Sequence, residues 1–322
     1  MQLIRGLHNL RPTHRGSVAT IGTFDGVHLG HQAILSQLAE AARAANLPSV
    51  VILFEPQPHE YFARDKAPAR LMRLREKLDA LAQSGVDRVL CLHFNHELRS
   101  LTAGQFVQRV LLDGLAIQHL VVGDDFRFGC DRAGDYSLLK TAGERNGFSV
   151  TDTCTLMIGA ERISSTRIRE LLAQGDFERA EACLGRPYTI AGRVAHGRKL
   201  GREIGVPTAN IRLLRHRSPL SGVFVISARV DGELLFGVAN VGVKPTVSDV
   251  PEPLLEVHLF DFDRTIYGHP IVVRFHAKLR DEHKFASLDA LKAQLQDDIH
   301  RGRTYLSDLD INTVKGMTSD HE

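Results

Sequence analysis

Tryptophan is absent from this chain of 322 residues, which carries 5 Tyr and 15 Phe. Broad stacking platforms for single-stranded nucleic acid are therefore not expected. Neither sign of charge prevails: 40 Lys and Arg stand against 38 Asp and Glu, for a formal net charge of +2. A general nucleic-acid binder would concentrate basic residues on one face, so no nucleic-acid partner is expected. No apolar run reaches the roughly 18–20 residues that cross a bilayer, and no membrane partner is expected either. The first residues, MQLIRGLHNLRPTHRG, hold no continuous apolar stretch and no small-residue cleavage site. Secretion is not expected, and the cytoplasm is the expected compartment. The cysteines (Cys91, Cys130, Cys154 and Cys183) are scattered, with no zinc-type or redox-type spacing. They read as buried or incidental thiols of a reducing compartment. Walker A and GxGxxG fingerprints are missing from the segments discussed below.

What is present is a globular composition, 43% hydrophobic and 24% charged, on a chain long enough for about two domains. The first half alternates short apolar runs with helical patterns. The runs are Val18–Phe24, Ser49–Phe54, Arg88–Phe94, His119–Gly123 and Ser149–Leu156. Leu71, Leu74, Leu78 and Leu81 share a helical face, and Thr102 caps a second pattern through Phe106, Val107, Val110 and Leu111. Strands apolar on both faces and separated by helices predict a parallel, doubly wound, Rossmann-like sheet with ligands at the strand carboxyl ends. A helix over Thr166–Leu184 is expected to end at Gly185-Arg186-Pro187. Beyond it the period becomes two. Ile271, Val273, Phe275, Ala277 and Leu279 are expected on one face of a strand, and Asp231-Gly232 links two strands as a hairpin. The expected fold class is thus α/β plus β: an N-terminal Rossmann-like domain, a six-stranded-type antiparallel barrel, and a closing helix from near Ser287.

Two segments could carry chemistry. GTFDGVHLGH, residues 22–31, runs from the first strand into the first helix. Gly22, Gly26 and Gly30 allow a sharp turn and close approach of a ligand, and the helix N-terminus favours an anion. His28 and His31 could donate to phosphate oxygens; a metal pair or two surface histidines are the alternatives. GRVAHGRKLGREIGVPTAN, residues 192–210, is a basic loop in which Gly197, Gly201 and Gly205 interrupt Arg198, Lys199 and Arg202. Such a loop could wrap a polyphosphate. Thr208 and Asn210, two apart in an extended segment, share a face and offer hard oxygen ligands suited to Mg²⁺. Glu256 points away from Leu255, Val257 and Leu259, a pattern that by itself describes a solvent-facing strand residue.

Taken together, the motifs resemble the nucleotidyltransferase superfamily in the form used by bacterial bifunctional riboflavin kinase/FAD synthetases. The resemblance covers roughly residues 15–305 and rests on GTFDGVHLGH, Phe54–Pro58, Val122–Gly129, Ile163–Arg169, the glycine loop with Pro207–Asn210, Leu255–Phe262, Asn240–Thr246 and Arg280–Phe285. It departs from the family pattern at Val247 and Phe224. The resemblance implies an FMN adenylyltransferase domain over 1–186, a riboflavin kinase domain over 187–310 and a polar tail over 311–322. On the adenylyl side it implies catalytic His28, His31 and Arg169. ATP and phosphate would be held there by Gly22, Phe24, Asp25, Gly26, Gly30, Ser164, Ser165, Thr166 and Arg167. On the kinase side it implies Glu256 as base, with Gly192, His196, Gly197, Lys199, Gly201 and Gly205 around ATP and Thr208 and Asn210 on Mg²⁺. Flavin contacts would come from Pro56, Asp125, Phe126, Phe128, Arg280 and Phe285, although Phe126 and Phe128 also fit a core role. The implied partners are riboflavin, FMN, FAD and ATP as co-substrate, on a monomer or weak homo-oligomer. One active domain with a degenerate neighbour, or a flavin sensor without turnover, are the alternatives.

Overall fold

The computed structural model of the chain describes residues 1–153, 155–159, 161–197, 205–244 and 252–308. These form two compact units, Met1–Arg167 and Ile168–Glu322.

The first unit holds strands β1 (Gln2–Arg5), β2 (Ser17–Ile21), β3 (Ser49–Glu55), β4 (Arg88–His93), β5 (Ile117–Gly123) and β6 (Ser149–Thr153). Its helices are α1 (Leu29–Ala45), α2 (Pro58–Ala63), α3 (Leu74–Gln83), α4 (His96–Arg99), α5 (Ala103–Phe106) and α6 (Tyr136–Asn146). The strands form one sheet in the order β1-β4-β3-β2-β5-β6, and every pair is parallel. Alternation along each strand feeds two cores. Val18, Val51, Leu53 and Val89 meet Leu35, Leu38 and Ala42 of α1 and Leu81 of α3. Ala19, Ile21, Val50, Ile52 and Leu90 meet Phe106, Val110, Leu111 and Leu139 on the opposite face. A sheet buried on both sides needs such continuously apolar strands, which is why they were legible as runs. The chain winds from β2 outward through β3 and β4, then returns to place β5 on the other side of β2. The switch point therefore lies between β2 and β5.

A short hairpin, β7 (Met157–Ile158) and β8 (Glu161–Arg162), follows β6. The helix expected over Thr166–Leu184 is two helices, α7 (Ser165–Gln174) and α8 (Phe177–Leu184). Gly175 breaks it with a φ of 80°, and Asp176 caps α8 by accepting from the Arg179 amide. The compact units divide inside α7, so α8 belongs with the barrel. Its Phe177 ring stacks on Phe275 and meets Phe224 edge-on.

The second unit contains β9 (Thr189–Ala195), β10 (Ala209–Arg212), β11 (Gly222–Val230), β12 (Glu233–Lys244), β13 (Glu252–Leu259) and β14 (Pro270–Arg280), followed by α9 (Leu288–Asp308). The strands close into an antiparallel barrel in the order β10-β13-β12-β11-β14-β9. The shared face expected for Ile271 through Leu279 is interrupted. The pairing of β11 with β14 shifts register between Val225 and Ile226, which leaves His276 as the extra residue between Phe275 and Ala277. Ala277 and Leu279 consequently pack with Val225, Val238, Phe260 and Leu306 in the cluster beneath α9. Phe275 stays with Phe224, Phe177 and Tyr188.

Candidate active sites

In the first unit, GTFDGVHLGH leaves the carboxyl end of β2 at the switch point. Phe24 (φ 46°), Gly26 (φ 90°) and Val27 (φ 40°) turn the loop sharply before α1 begins. His28 is the N-cap of α1, and its Nδ1 accepts the His31 amide at 3.3 Å. A ring whose Nδ1 accepts carries its proton on Nε2 when neutral, so Nε2–H is the group it can donate outward. The His28 and His31 rings stack at 3.6 Å. Gly30 permits that stacking: a Cβ there would lie 3.2 Å from the His28 ring.

The segment after β8 closes on the same loop. Ser165 Oγ donates to the Asp25 carbonyl at 2.8 Å. Ser164 Oγ accepts the Arg167 amide and caps α7, and the Arg167 guanidinium holds Glu161 at 2.8 Å. Thr166 occupies the first turn, and Arg169 follows Ser165 by one helical turn. The histidine loop and the two serines are therefore adjacent in the fold.

Phe24 and Asp25 sit differently from what ligand contact requires. Each is 1% exposed. The Asp25 carboxylate accepts the amides of Leu71 and Met72 at 3.0–3.1 Å, and Phe24 packs into the core under α1. Both shape the loop from behind. Gly22 lies under the Phe24 ring, which a Cβ would approach to 2.9 Å.

At the carboxyl ends of the strands, Pro56 directly follows β3, and Asp125 follows β5 and pairs with Arg162 at 2.6 Å. Both members of the phenylalanine pair pack with the core that contains Phe106. Phe128 is buried in the core, whereas Phe126 is half-buried and stacks on it at 5.6 Å. Sequence reasoning missed Phe62, the most exposed ring of a cluster with Tyr61, Phe94 and Arg99, on the helix that opens beside Pro56. Two adjacent aromatics in the polar surroundings of HEYFARDK were the available signal.

In the barrel, register brings the polar face together. Asn210 on β10 and Asn240 on β12 are both direct partners of Glu256 on β13, so the three side chains stand in a row on one face. Thr208 precedes Asn210 on that face, and the Thr208 carbonyl accepts the Asn210 amide at 3.4 Å. Asn240 donates toward Glu282 at 3.5 Å, while its own Oδ1 is buried without a donor among the described residues. Asn240 was legible only as part of a longer segment, because nothing in sequence reveals which residue lies opposite Glu256. His258 Nδ1 lies 2.9 Å from the Pro207 carbonyl, and burial holds its imidazole below the usual range. Pro207-Thr208 is thereby pinned to β13.

Gly197 approaches Asn210 so closely that a Cβ would lie 2.4 Å from Nδ2, and Gly192 has the same relation to Ile211 at 2.3 Å. His196 stacks on Tyr267 at 4.0 Å. Gly205 is described with a φ of 79°, whereas Lys199, Gly201 and Val247 lie outside the described residues. Arg280 pairs with the buried Asp298 at 2.7 Å and lies 5.7 Å from the Phe285 ring centroid. Phe224, one of the two departures, is fully buried among aromatic rings.

Among the described residues no set of three or more His, Cys, Asp or Glu could hold a metal. The oxygens of Thr208 and Asn210 suit a hard cation that completes its shell with phosphate and water, as Mg²⁺ does. Of the cysteines, Cys91, Cys130 and Cys183 form no disulfide among the described residues, and Cys154 lies outside them. No helix among the described residues is long and apolar enough to cross a membrane.

Comparison with known proteins agrees with this division of the chain. A family profile for FAD synthetase matches residues 10–167, and one for riboflavin kinase matches residues 184–306. A bifunctional riboflavin kinase/FMN adenylyltransferase of Pseudomonas fluorescens is 55% identical, covering 94% of this chain and 97% of its own. The chain belongs to that family. The enzymes of the same name from Escherichia coli K12 and Haemophilus influenzae are 52% and 48% identical, over 92% and 95% of this chain and 96% and 100% of theirs. A solved structure described as a macrolide-efflux protein of Streptococcus pneumoniae shares the fold. It is 31% identical with a TM-score of 0.76, over 92% of this chain and 97% of that one.

Proposed function

We propose that the two polar sites divide the family's two reactions between the two units. The chain is a riboflavin kinase and an FMN adenylyltransferase, using ATP as co-substrate in both steps. The observation that carries the kinase assignment is the row Asn210–Glu256–Asn240 beside Thr208. Glu256 takes the proton of the riboflavin 5′-hydroxyl as its oxygen attacks the γ-phosphorus of ATP, and ADP leaves. Thr208 and Asn210 would hold Mg²⁺, whose charge neutralises the transferring phosphoryl group. The backbone at Gly197 approaches Asn210 of that row closely enough to bring ATP phosphates to it. Arg280, fixed by Asp298, and Phe285 border the flavin.

In the first unit, an FMN phosphate oxygen attacks the α-phosphorus of ATP and pyrophosphate leaves. No covalent enzyme intermediate is needed, so the work is positioning and charge stabilisation. His28 and His31 donate to the phosphates over the start of α1, joined by Ser164, Ser165, Thr166 and Arg167. Phe126 and Phe62 offer ring faces to the flavin near Pro56 and Asp125. A sensor without turnover has no use for a carboxylate aligned between two asparagines, and this favours the enzyme reading of the barrel.

Two variants test the division. Glu256→Gln should lower riboflavin phosphorylation by roughly 10²–10⁴-fold, the usual contribution of a general base, and still convert supplied FMN to FAD. Changing both His28 and His31 to Ala should do the reverse, leaving FMN to accumulate; each donor to developing charge is worth about 10²–10³-fold. Near-normal kinase rates in the first variant would move the base elsewhere. FAD synthesis surviving in the second, with loss of bound zinc, would make the histidines a metal pair.

A further inference from the structure

Lys77 is 1% exposed in the interior of the first unit, and nothing in the reaction described above uses it. It projects from α3 to the carbonyl of Thr23, which its Nζ meets at 2.5 Å. Thr23 opens the four-residue reversal, 24–27, in which Phe24, Gly26 and Val27 all have positive φ, just before the histidines. Burial pulls the Lys77 ammonium below the ordinary lysine range; the charge of Asp25 opposes that shift, as do Glu55 and Glu60, while Arg70 adds to it. Lys77 thus has a carboxylate counter-charge in Asp25, which is itself anchored on the Leu71 and Met72 amides. Arg70 is occupied by Glu55 at 2.6 Å and by Glu60.

A lysine is an expensive way to fill such a space, since desolvating an ammonium costs several kcal/mol. Methionine or leucine would pack the same volume without that cost. What lysine adds is a donor to a loop carbonyl and a positive charge behind a loop whose front is the candidate phosphate site. The loop is held from three directions: Lys77 on the Thr23 carbonyl, the Leu71–Met72 amides on the Asp25 side chain, and Ser165 on the Asp25 carbonyl. Of the groups that hold it, Lys77 alone is a cation.

We infer that Lys77 is a positioning residue of the adenylyltransferase, clamping the Thr23 carbonyl so that the Phe24–Val27 turn presents His28 and His31 to the triphosphate. It touches neither substrate and acts through the loop. The inference rests on the reading of residues 22–31 as the adenylyl-transfer site. A loop displaced by about 1 Å costs on the order of 10²-fold when it carries the groups that orient a reaction.

The experiment uses the full chain with Lys77→Met. FAD formation from supplied FMN should fall about 10²-fold, mainly in kcat, with KM for ATP changed less than threefold and riboflavin phosphorylation unchanged. Amide hydrogen exchange should quicken over residues 22–28 and stay slow in β2 and β3. Lys77→Ala provides the second measurement: propylammonium, which replaces the missing donor and charge, should restore at least tenfold of the lost kcat. FAD formation within threefold of the parent chain would overturn the inference. So would general loss of protection in β2 and β3 together with absence of rescue, because Lys77 would then be only a structural residue. The double variant at His28 and His31 is run in parallel. If it makes FAD normally, the reading of the loop fails; if it is inactive while Lys77→Met is not, the inference about Lys77 fails alone.

Discussion

At the scale of single residues, polar groups gain their character from where the backbone places them. His276 is the clearest titrating case. It is the extra residue of the β14 bulge, with Nε2 2.8 Å from Ser227 Oγ, and burial together with the nearby Arg274 charge pulls its pKa down to about 4. The unfolded imidazole takes up a proton near pH 6.5, whereas the folded one resists until about pH 4. Between those values the unfolded state binds more protons, so stability falls as pH is lowered through this window. The loss is at most about 3 kcal/mol. His276→Gln should remove this component. Thermal unfolding from pH 7 to pH 4 should then show a shallower fall of the barrel transition for the variant than for the parent. Parallel curves would mean that His276 is solvated in the folded state.

At the scale of elements, the parallel strands and the histidine loop were readable because burial on both faces leaves uninterrupted apolar runs. β1 was not readable, since Gln2–Arg5 is four residues long and reveals itself only by pairing with β4. The break between α7 and α8 hides in a pattern that stays apolar through Leu172, Phe177 and Leu184, although Gly175 marks it. The bulge at His276, like the second register shift at Leu279, is invisible in sequence because the apolar residues keep a two-residue spacing from Ile271 to Leu279. For the sites, the types of residue were legible and their register was not: Glu256 gains meaning from Asn210 and Asn240 on its two neighbouring strands. Asp25 and Phe24 matched a binding motif in sequence yet serve the loop from inside.

The same scale offers a test that removes no functional atom. A Cβ at Gly197 would stand 2.4 Å from Asn210 Nδ2, so the Asn210 side chain must move to admit it. Gly197→Ala should lower riboflavin phosphorylation at least about tenfold and raise the Mg²⁺ concentration needed for half-maximal rate, as expected when a positioned ligand is displaced. Conversion of FMN to FAD should be unaffected. An unchanged Mg²⁺ requirement would argue against Asn210 as a metal ligand.

At the scale of the whole molecule, the compact units do not divide at the end of α8. A change in sequence period marks Pro187, whereas the compact units divide at Arg167/Ile168. α8 lays Phe177 on Phe224 and Phe275, pairs Glu181 with Arg274 at 3.2 Å, and lies within the barrel unit. We propose that a fragment from Ser164 to the end of the chain folds cooperatively and makes FMN but no FAD. A fragment from Arg186 uncovers the Phe224–Phe275 face and should be less stable by about 3–5 kcal/mol, the usual cost of losing one buried aromatic side chain. Equal denaturant midpoints for the two fragments would show that α8 contributes nothing to the barrel.

The central claim is that one chain performs both transfers, each on its own ATP. Purified full-length protein given riboflavin, Mg²⁺ and ATP, with chromatographic separation of the flavins and quantification of ADP and pyrophosphate, tests it directly. FMN should appear first and FAD after it, with one ADP and one pyrophosphate released for every FAD formed from riboflavin. ADP without pyrophosphate and FMN without FAD, or no turnover of riboflavin at all, would contradict the account.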